Sequence, residues 1–357
     1  MCGHAIQVIR EEEYYMESKV TTKACITLVL MCCLFVMMPA AAFSWNQATH
    51  AYIADRLGAR AGYDNLDEMW GSTAPDFFNY IFDPALCPGW VSDETHGMHA
   101  DTFLNVWNAA VSDTEHALAY GFVTHNEPWG ADHTAHEACL TCGQDEGYII
   151  VKAKQLLGTP MNPANPLPTF GDAFATLGMS PDEALLLAHV STEYAVDIML
   201  RNDVDHLLGR KVAKAARSET KGFRSLLVKA YAADYAAYCF GGDYSIAASE
   251  LTAAEKGHRK DMIFLGQAIS QPETVAVRLL AEQLAAVLPD FLGRPLPVPE
   301  AEAVETMKAA IVTAMSICDD YKAEIDATVE FVEQILKDHG ITYDPKSDGR
   351  KTGSGGL

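Results

Sequence analysis

Apolar residues at helical spacing constrain this chain more than any other feature. In "PDEALLLAHVSTEYAVDIML", residues 181–200, a proline and two acids stand at the start, and apolar side chains then recur every three or four positions. The same pattern continues over 221–240, 273–292 and 300–340, whereas no segment alternates convincingly as a strand does. We therefore predict an all-α fold. Breaks are predicted at the Gly-, Pro- or Asn-rich segments 158–172, 240–245 and 293–302.

Composition and charge narrow the possible partners. The chain has 357 residues, of which 49% are hydrophobic, and this is enough for a buried core. Its formal net charge of −22 disfavours a nucleic-acid backbone or an anionic membrane as a simple electrostatic partner, because like charges repel. An anionic substrate would therefore need positive charge inside the site itself.

The amino terminus has the pattern of a secretory signal peptide over residues 1–44. Two lysines precede an apolar run at 24–38, which small residues follow. Met16 is the more suitable start, because the acidic "REEEYY" before it does not fit such a signal. Cleavage before Trp45 is predicted, with a cut after Ala42 as the alternative.

An uncleaved membrane anchor is the alternative interpretation of this segment. The apolar run is shorter than the roughly 20 residues that span a bilayer, and Pro39 interrupts it. We therefore expect a secreted or periplasmic protein. In that oxidising environment the five remaining cysteines allow up to two disulfides, and Cys139 and Cys142 are close enough for a local bridge.

Potential metal ligands concentrate in the first half of the expected mature chain. His189 and Glu193 are four residues apart in a predicted helix, so both side chains project from one face and can bind one metal ion. Such a pair alone is more often a core histidine or a surface pair.

The segment "THNEPWGADHTAH", residues 124–136, adds His125, Asp132 and His136. In one continuous helix these three would share a face. A proline and a glycine between them predict instead a kink or short loop before Ala131.

Three further candidates lie upstream. Asp76 occurs in "GSTAPDFF", and His50 lies five residues beyond Trp45. In "THGMHADTFLN", His96 and His99 compete, and we prefer His99 because it begins a helix-like apolar stripe. The other histidines are expected to be structural or solvated: His116, His133, His206, His258 and His339.

In this order the candidates resemble the zinc-dependent phospholipase C family, all-helical trinuclear zinc phosphodiesterases whose relatives include the S1/P1 nucleases. The stretches "GSTAPDFF", "HADTFLN" and "ADHTAH" are similar to the amino-terminal domain of glycosylphosphatidylinositol-specific phospholipase D, of the same superfamily. The resemblance covers roughly residues 45–210, and the ordered set is more specific than any single motif. It implies a multi-helix bundle of the phospholipase C/P1 nuclease type with a buried metal cluster.

The resemblance implies up to three zinc ions, and these are their ligands. The first ion is held by Asp76, His99 and His125, the second by His136, His189 and Glu193, and the third by the Trp45 amine and carbonyl with His50, while Asp132 bridges the first and third. Six residues, "NEPWGA", separate His125 from Asp132 where the family has three, and Glu127 in this insert could enter the site.

The implied organisation is a signal peptide, a catalytic domain at 45–240, a C-terminal helical region at 241–343 and a disordered tail at 344–357. The implied reaction is attack at phosphorus by metal-activated hydroxide, with Asp76 able to accept the proton of the attacking water. Three zinc ions with three carboxylates and one hydroxide would keep a charge of roughly +2, which suits a phosphodiester.

We therefore expect hydrolysis of phospholipid head groups, with transient membrane-surface contact and no stable nucleic-acid partner. One alternative is an S1/P1-like single-strand nuclease, which is disfavoured because Glu193 stands where those nucleases tend to carry aspartate. Another is a non-catalytic zinc-binding protein with the same fold, which the altered spacing before Asp132 would suit.

Overall fold

A computed structural model describes residues 45–58, 65–218 and 222–342. Most of them are helical, which confirms the all-α prediction. The helices of the described part are α1 (Gln47–Leu57), α2 (Leu66–Thr73), α3 (Pro88–His96), α4 (Leu104–Ala109), α5 (Asp113–Val123), α6 (Tyr148–Gly158), α7 (Phe170–Thr176), α8 (Pro181–Asp203), α9 (Leu208–Ser218), α10 (Gly222–Cys239), α11 (Tyr244–Ile269), α12 (Glu273–Leu292), α13 (Glu300–Ile317) and α14 (Tyr321–Asp338). The predicted signal peptide and tail lie outside the described residues.

Short non-α elements connect the helices. Three 3₁₀ segments, Ala74–Tyr80, Pro84–Leu86 and Asp101–Phe103, and a π-helix at His133–Glu137 lie in the first half. The structure also contains an antiparallel hairpin, β1 (Pro160–Asn162) with β2 (Asn165–Thr169). The expectation of no strands is wrong here: the hairpin is mostly exposed and Pro-rich, so it lacks the apolar alternation that predicts a strand.

Helix α8 is the longest element that carries candidate ligands. Ser180 caps its start by accepting a hydrogen bond from the Glu183 backbone, and the Glu183 carboxylate accepts one from the Ser180 backbone in return. The helix packs against both α6 and α13. His189 and Glu193 therefore lie on a helix whose position is fixed by packing against its neighbours.

The amino-terminal helix α1 is fixed to α8 by a buried carboxylate. Asp197 accepts hydrogen bonds from the backbone of Ala48 at 3.3 Å, and from the backbone and hydroxyl of Thr49 at 2.8 and 2.7 Å. The Asn46 amide donates a further bond at 2.8 Å. These bonds satisfy donors at the start of α1 that the helix itself leaves open.

The part beyond residue 240 packs directly on the first half. Helix α11 contacts the 3₁₀ segment Ala74–Tyr80 as well as α9 and α10, and all described residues fall in one compact unit. A disulfide joins Cys87 to Cys239, and the expected Cys139–Cys142 bridge is present. Within the described part, no helix has the length and apolar character needed to cross a bilayer.

Helices α2 and α5 cross through two glycines. A Cβ atom at Gly121 would lie 1.9 Å from the carbonyl oxygen of Glu68, and one at Gly71 would lie 2.0 Å from that of Leu118. Only glycine permits so close an approach of the two backbones. This crossing matters for the site, because Asp76 follows α2 and His125 follows α5.

Replacing Gly121 with alanine should lower the free energy of unfolding by about 3 kcal/mol, because backbone must move to admit the methyl group. Denaturant unfolding measures the change. Gly158→Ala is the control, since no atom lies within 4 Å of its added Cβ, and it should leave the stability unchanged or slightly higher. Equal stability of the two variants would contradict the tight crossing.

Candidate metal centre

The "NEPWGA" insert forms a closed loop and does not separate its flanking residues. The backbone N–H of Ala131 donates to the Thr124 carbonyl at 2.8 Å, and that of Asp132 donates to the His125 carbonyl at 2.9 Å. Inside the loop, the Asn126 side-chain oxygen accepts from the backbone of Trp129 and Gly130 at 3.0 and 3.1 Å. The predicted break before Ala131 is confirmed. The extra residues are thus accommodated while His125 and Asp132 remain in contact.

Asp76, His96 and His125 form the first buried group. Their candidate ligand atoms all lie within 4.8 Å of one another. The Nε2 atoms of His96 and His125 are 3.4 and 3.7 Å from the Asp76 carboxylate. The Gln47 amide also donates to this carboxylate.

His50, His125 and Asp132 form a second buried group that shares His125 with the first. The Asp132 carboxylate lies 3.2 Å from the Nε2 atoms of both His50 and His125, one through each oxygen. The two imidazole rings stack with centroids 3.9 Å apart. This places Asp132 between the groups that the resemblance attributes to the first and third ions.

His136, His189 and Glu193 also approach one another, but less closely. The His136 and His189 rings have centroids 5.3 Å apart, and His189 Nε2 is 2.9 Å from Glu193 Oε1. Glu127 from the insert loop does enter this region, where its Oε1 lies 2.7 Å from His136 Nδ1. It therefore orients the His136 ring and leaves Nε2 as the nitrogen available to a ligand.

Trp45 is fully buried at the start of the described chain. Its indole N–H donates to Thr134 Oγ1 at 3.1 Å, and its ring stacks on Tyr148 with centroids 5.3 Å apart. Together with the Asp197 bonds to α1, these contacts fix the backbone that leads to His50.

The preference for His99 over His96 is corrected by the structure. The His99 side chain is 82% exposed and lies 3.6 Å from Asp93, whereas the His96 side chain is fully buried beside Asp76. His96 is the last residue of α3, and its side chain lies on the buried face of that helix. Gly97 follows in the left-handed conformation and turns the chain, so His99 lies at the surface. The sequence signal for His96 is its spacing of four and five residues from Ser92 and Val91, because residues at this spacing share the buried face of α3.

The charges of the two buried carboxylates control the protonation of the His125 ring. Burial opposes protonation of its ring, but the charges of Asp132 and Asp76 outweigh this and raise its pKa to about 9. Burial and the neighbouring His125 charge lower the pKa of His50 to about 4. Burial raises the pKa of both carboxyls, but the His125 charge together with hydrogen bonds from the neighbouring histidines outweighs burial and lowers the pKa of each. Without metal, one proton on His125 thus balances part of the buried negative charge.

The donor set fits a divalent metal ion. Nδ1 of His96 lies 3.0 Å from the Ser92 carbonyl and Nδ1 of His125 lies 2.7 Å from the Ser72 carbonyl, so each ring donates through Nδ1. Their buried Nε2 atoms face carboxylate oxygens instead, with His96 Nε2 3.4 Å from Asp76 and His125 Nε2 3.2 Å from Asp132. An imidazole fixed in this way, beside carboxylate oxygens, is the usual arrangement of a histidine that binds metal.

Comparisons with models of protein families, with curated proteins and with solved structures found no match for this chain.

His96→Ala should lower the bound metal content, because it removes a buried nitrogen from the group around Asp76. His99→Ala should leave the content at the wild-type value, since that side chain points to solvent. Elemental analysis of the two purified variants makes the comparison. Metal loss on changing His99 alone would restore the original assignment.

Metal binding should release a proton from His125, because a protonated ring cannot be a ligand. The zinc affinity of the group containing His125 should therefore rise about tenfold per pH unit below its pKa of about 9 and level off above it. Zinc titrations by calorimetry between pH 6 and about 9, in buffers of different ionisation enthalpy, count the protons.

The same titrations of His125→Gln should lose this pH dependence. His116→Gln, on α5 and outside every candidate group, should retain it. A pH-independent zinc affinity in the wild-type protein would show that zinc binding does not displace a proton from His125.

Proposed function

We propose that this chain is a secreted or periplasmic zinc-dependent phosphodiesterase that hydrolyses phospholipid head groups. The observation that carries the proposal is the pair of buried groups that share His125 and contain two carboxylates. Imidazole nitrogens and carboxylate oxygens at one site are ligands that zinc prefers. The resemblance to zinc-dependent phospholipases C supplies the expected reaction.

A cavity of about 190 Å³ adjoins the candidate ligands. Trp45, Asp76 and Glu193 all line it, and each of them is an implied ligand of a different zinc ion. A phosphodiester held there would lie beside one implied ligand of each ion.

Bound zinc would lower the pKa of water towards about 7 and neutralise charge on the phosphate. Asp76 lies at the cavity wall and stays ionised because its pKa is lowered, so its carboxylate can bind metal and accept a proton from the attacking water. Gln47 orients this carboxylate through its amide. His50, His125 and Asp132 are buried and are not among the residues that line the cavity.

The charges of the cavity disfavour the nuclease alternative. Its lining contains no lysine or arginine among the described residues, so nothing there would hold the further phosphates of a strand. A non-catalytic zinc-binding protein remains the competing proposal from another class.

The mature protein starting at Trp45 should bind up to three zinc ions and release phosphorylated head groups from phospholipid. A chelator should abolish the activity and added zinc should restore it. Zinc content is measured by elemental analysis, and hydrolysis is followed on phosphatidylcholine, phosphatidylethanolamine, a glycosylphosphatidylinositol and single-stranded DNA.

Each outcome separates the proposals. Cleavage of DNA alone would establish the nuclease. Stoichiometric zinc without hydrolysis of any phosphodiester would favour the non-catalytic protein. Chelator-resistant lipid hydrolysis would exclude a metal-dependent reaction.

A further inference from the structure

Helix α11 supplies one wall of the cavity, although it lies beyond the part of the chain that carries the family resemblance. His258 and Asp261 line the cavity from this helix, together with Met262 and Leu265. The helix packs directly on the 3₁₀ segment Ala74–Tyr80, which contains Asp76. The wall therefore lies next to the candidate metal ligands.

Asp261 is the carboxylate of this cavity that no implied metal position uses. The lining contains Asp76, Glu193 and Asp261 as acidic residues and, in the described part of the chain, no lysine or arginine. Tyr80 donates its hydroxyl hydrogen to Asp261 Oδ2 at 2.8 Å. This bond orients the carboxylate and occupies one oxygen, so the other oxygen remains as an acceptor in a half-buried setting.

His258 adds a second acceptor to the same wall. Its side chain is buried, and it donates a hydrogen bond to the backbone of Thr73. Its Nε2 has no hydrogen-bond partner among the described residues. In a neutral ring that donates through one nitrogen, the other nitrogen carries a lone pair. A buried acceptor without a partner is costly unless a ligand supplies the donor.

From this wall we propose a subsite, formed by Asp261 and His258, that binds a primary ammonium head group of the phosphodiester substrate. The inference rests on the proposed function, since it places the phosphate at the metal ligands and the head group against α11. A primary ammonium offers both the positive charge that Asp261 attracts and the N–H donors that two acceptors require.

A quaternary ammonium suits the wall less well. It carries charge but no N–H group, so His258 Nε2 would remain unpaired on binding it. Such cations are normally held by several open aromatic faces. Three aromatic residues line this cavity: Trp45, Tyr80 and Tyr194. The Trp45 ring stacks on Tyr148, and the Tyr80 ring packs edge-to-face with His258 and with Phe82 at centroid distances of 5.7 and 6.2 Å. Tyr194 is therefore the remaining aromatic face for such a cation.

Glycerophosphoethanolamine and glycerophosphocholine test the subsite, because they differ only in three methyl groups on nitrogen. The zinc-loaded protein should prefer the ethanolamine compound at least about tenfold in kcat/KM, as expected for hydrogen bonds to charged groups. Binding of phosphoethanolamine and phosphocholine by calorimetry gives the same comparison without turnover. Asp261→Asn should weaken the binding of both compounds, since both carry the charge, and should lower both ratios, because an amide oxygen is a weaker acceptor of N–H groups than a carboxylate.

Two further variants control for general damage to the cavity. Glu250→Gln removes the same charge from α11 outside the cavity lining and should keep the wild-type ratio. Tyr80→Phe releases Asp261 from its internal partner and should keep or increase the ratio. Equal use of the two compounds, a preference for choline, or an unchanged ratio in Asp261→Asn would each overturn the subsite.

Failure of the proposed function would look different. If zinc-loaded protein hydrolyses neither compound nor bis(p-nitrophenyl) phosphate, the phosphodiesterase proposal fails, while the binding ratio still decides whether Asp261 selects a primary ammonium. If bis(p-nitrophenyl) phosphate is hydrolysed and the ratios equal one, the phosphodiesterase proposal stands and the ammonium subsite fails.

Discussion

Two buried carboxylates, Asp76 and Asp132, face the same imidazole, and the organisation of this region depends on how their charge is balanced. Taking a carboxylate out of water costs several kcal/mol unless a positive partner or hydrogen bonds compensate it. His125 lies within 3.7 Å of Asp76 and 3.2 Å of Asp132, so one proton on its ring serves both. A metal ion can replace that proton, because the same nitrogen and oxygen atoms would become its ligands. The charge balance thus links the fold to the proposed chemistry.

The framework around these groups explains why they stay in place. Asp197 ties the start of α1 to α8, and the glycine crossing brings α2 against α5. His50 therefore lies close to the start of α1 that Asp197 fixes, and Asp76 and His125 lie just after the two helices that cross. Each ligand lies just after a helix end or within a clamped helix, where the backbone has little freedom. Such rigidity suits a site in which several side chains must meet at once.

Much of this architecture is already encoded in local sequence. Helix α8 was predictable because its cap, its acidic first turn and its apolar period agree. The pairing of His189 with Glu193 then followed from the helical repeat alone. The hairpin at β1 and β2 was not predictable, since proline-rich exposed strands lack an apolar face. His99 failed for a related reason: its apparent helical stripe begins only after a 3₁₀ turn, so local periodicity could not show which histidine points inward.

The sequence by itself determined that the chain is helical, where its breaks fall and which residue types could hold a metal ion, because these depend on neighbours within a few positions. Tertiary structure alone decided that His96 and not His99 meets Asp76, that the insert folds away so that His125 still reaches Asp132, and that α11 brings Asp261 to the cavity. Asp76 and Asp261 are 185 positions apart in the chain and line the same cavity, and only the packing of whole helices brings such distant residues together.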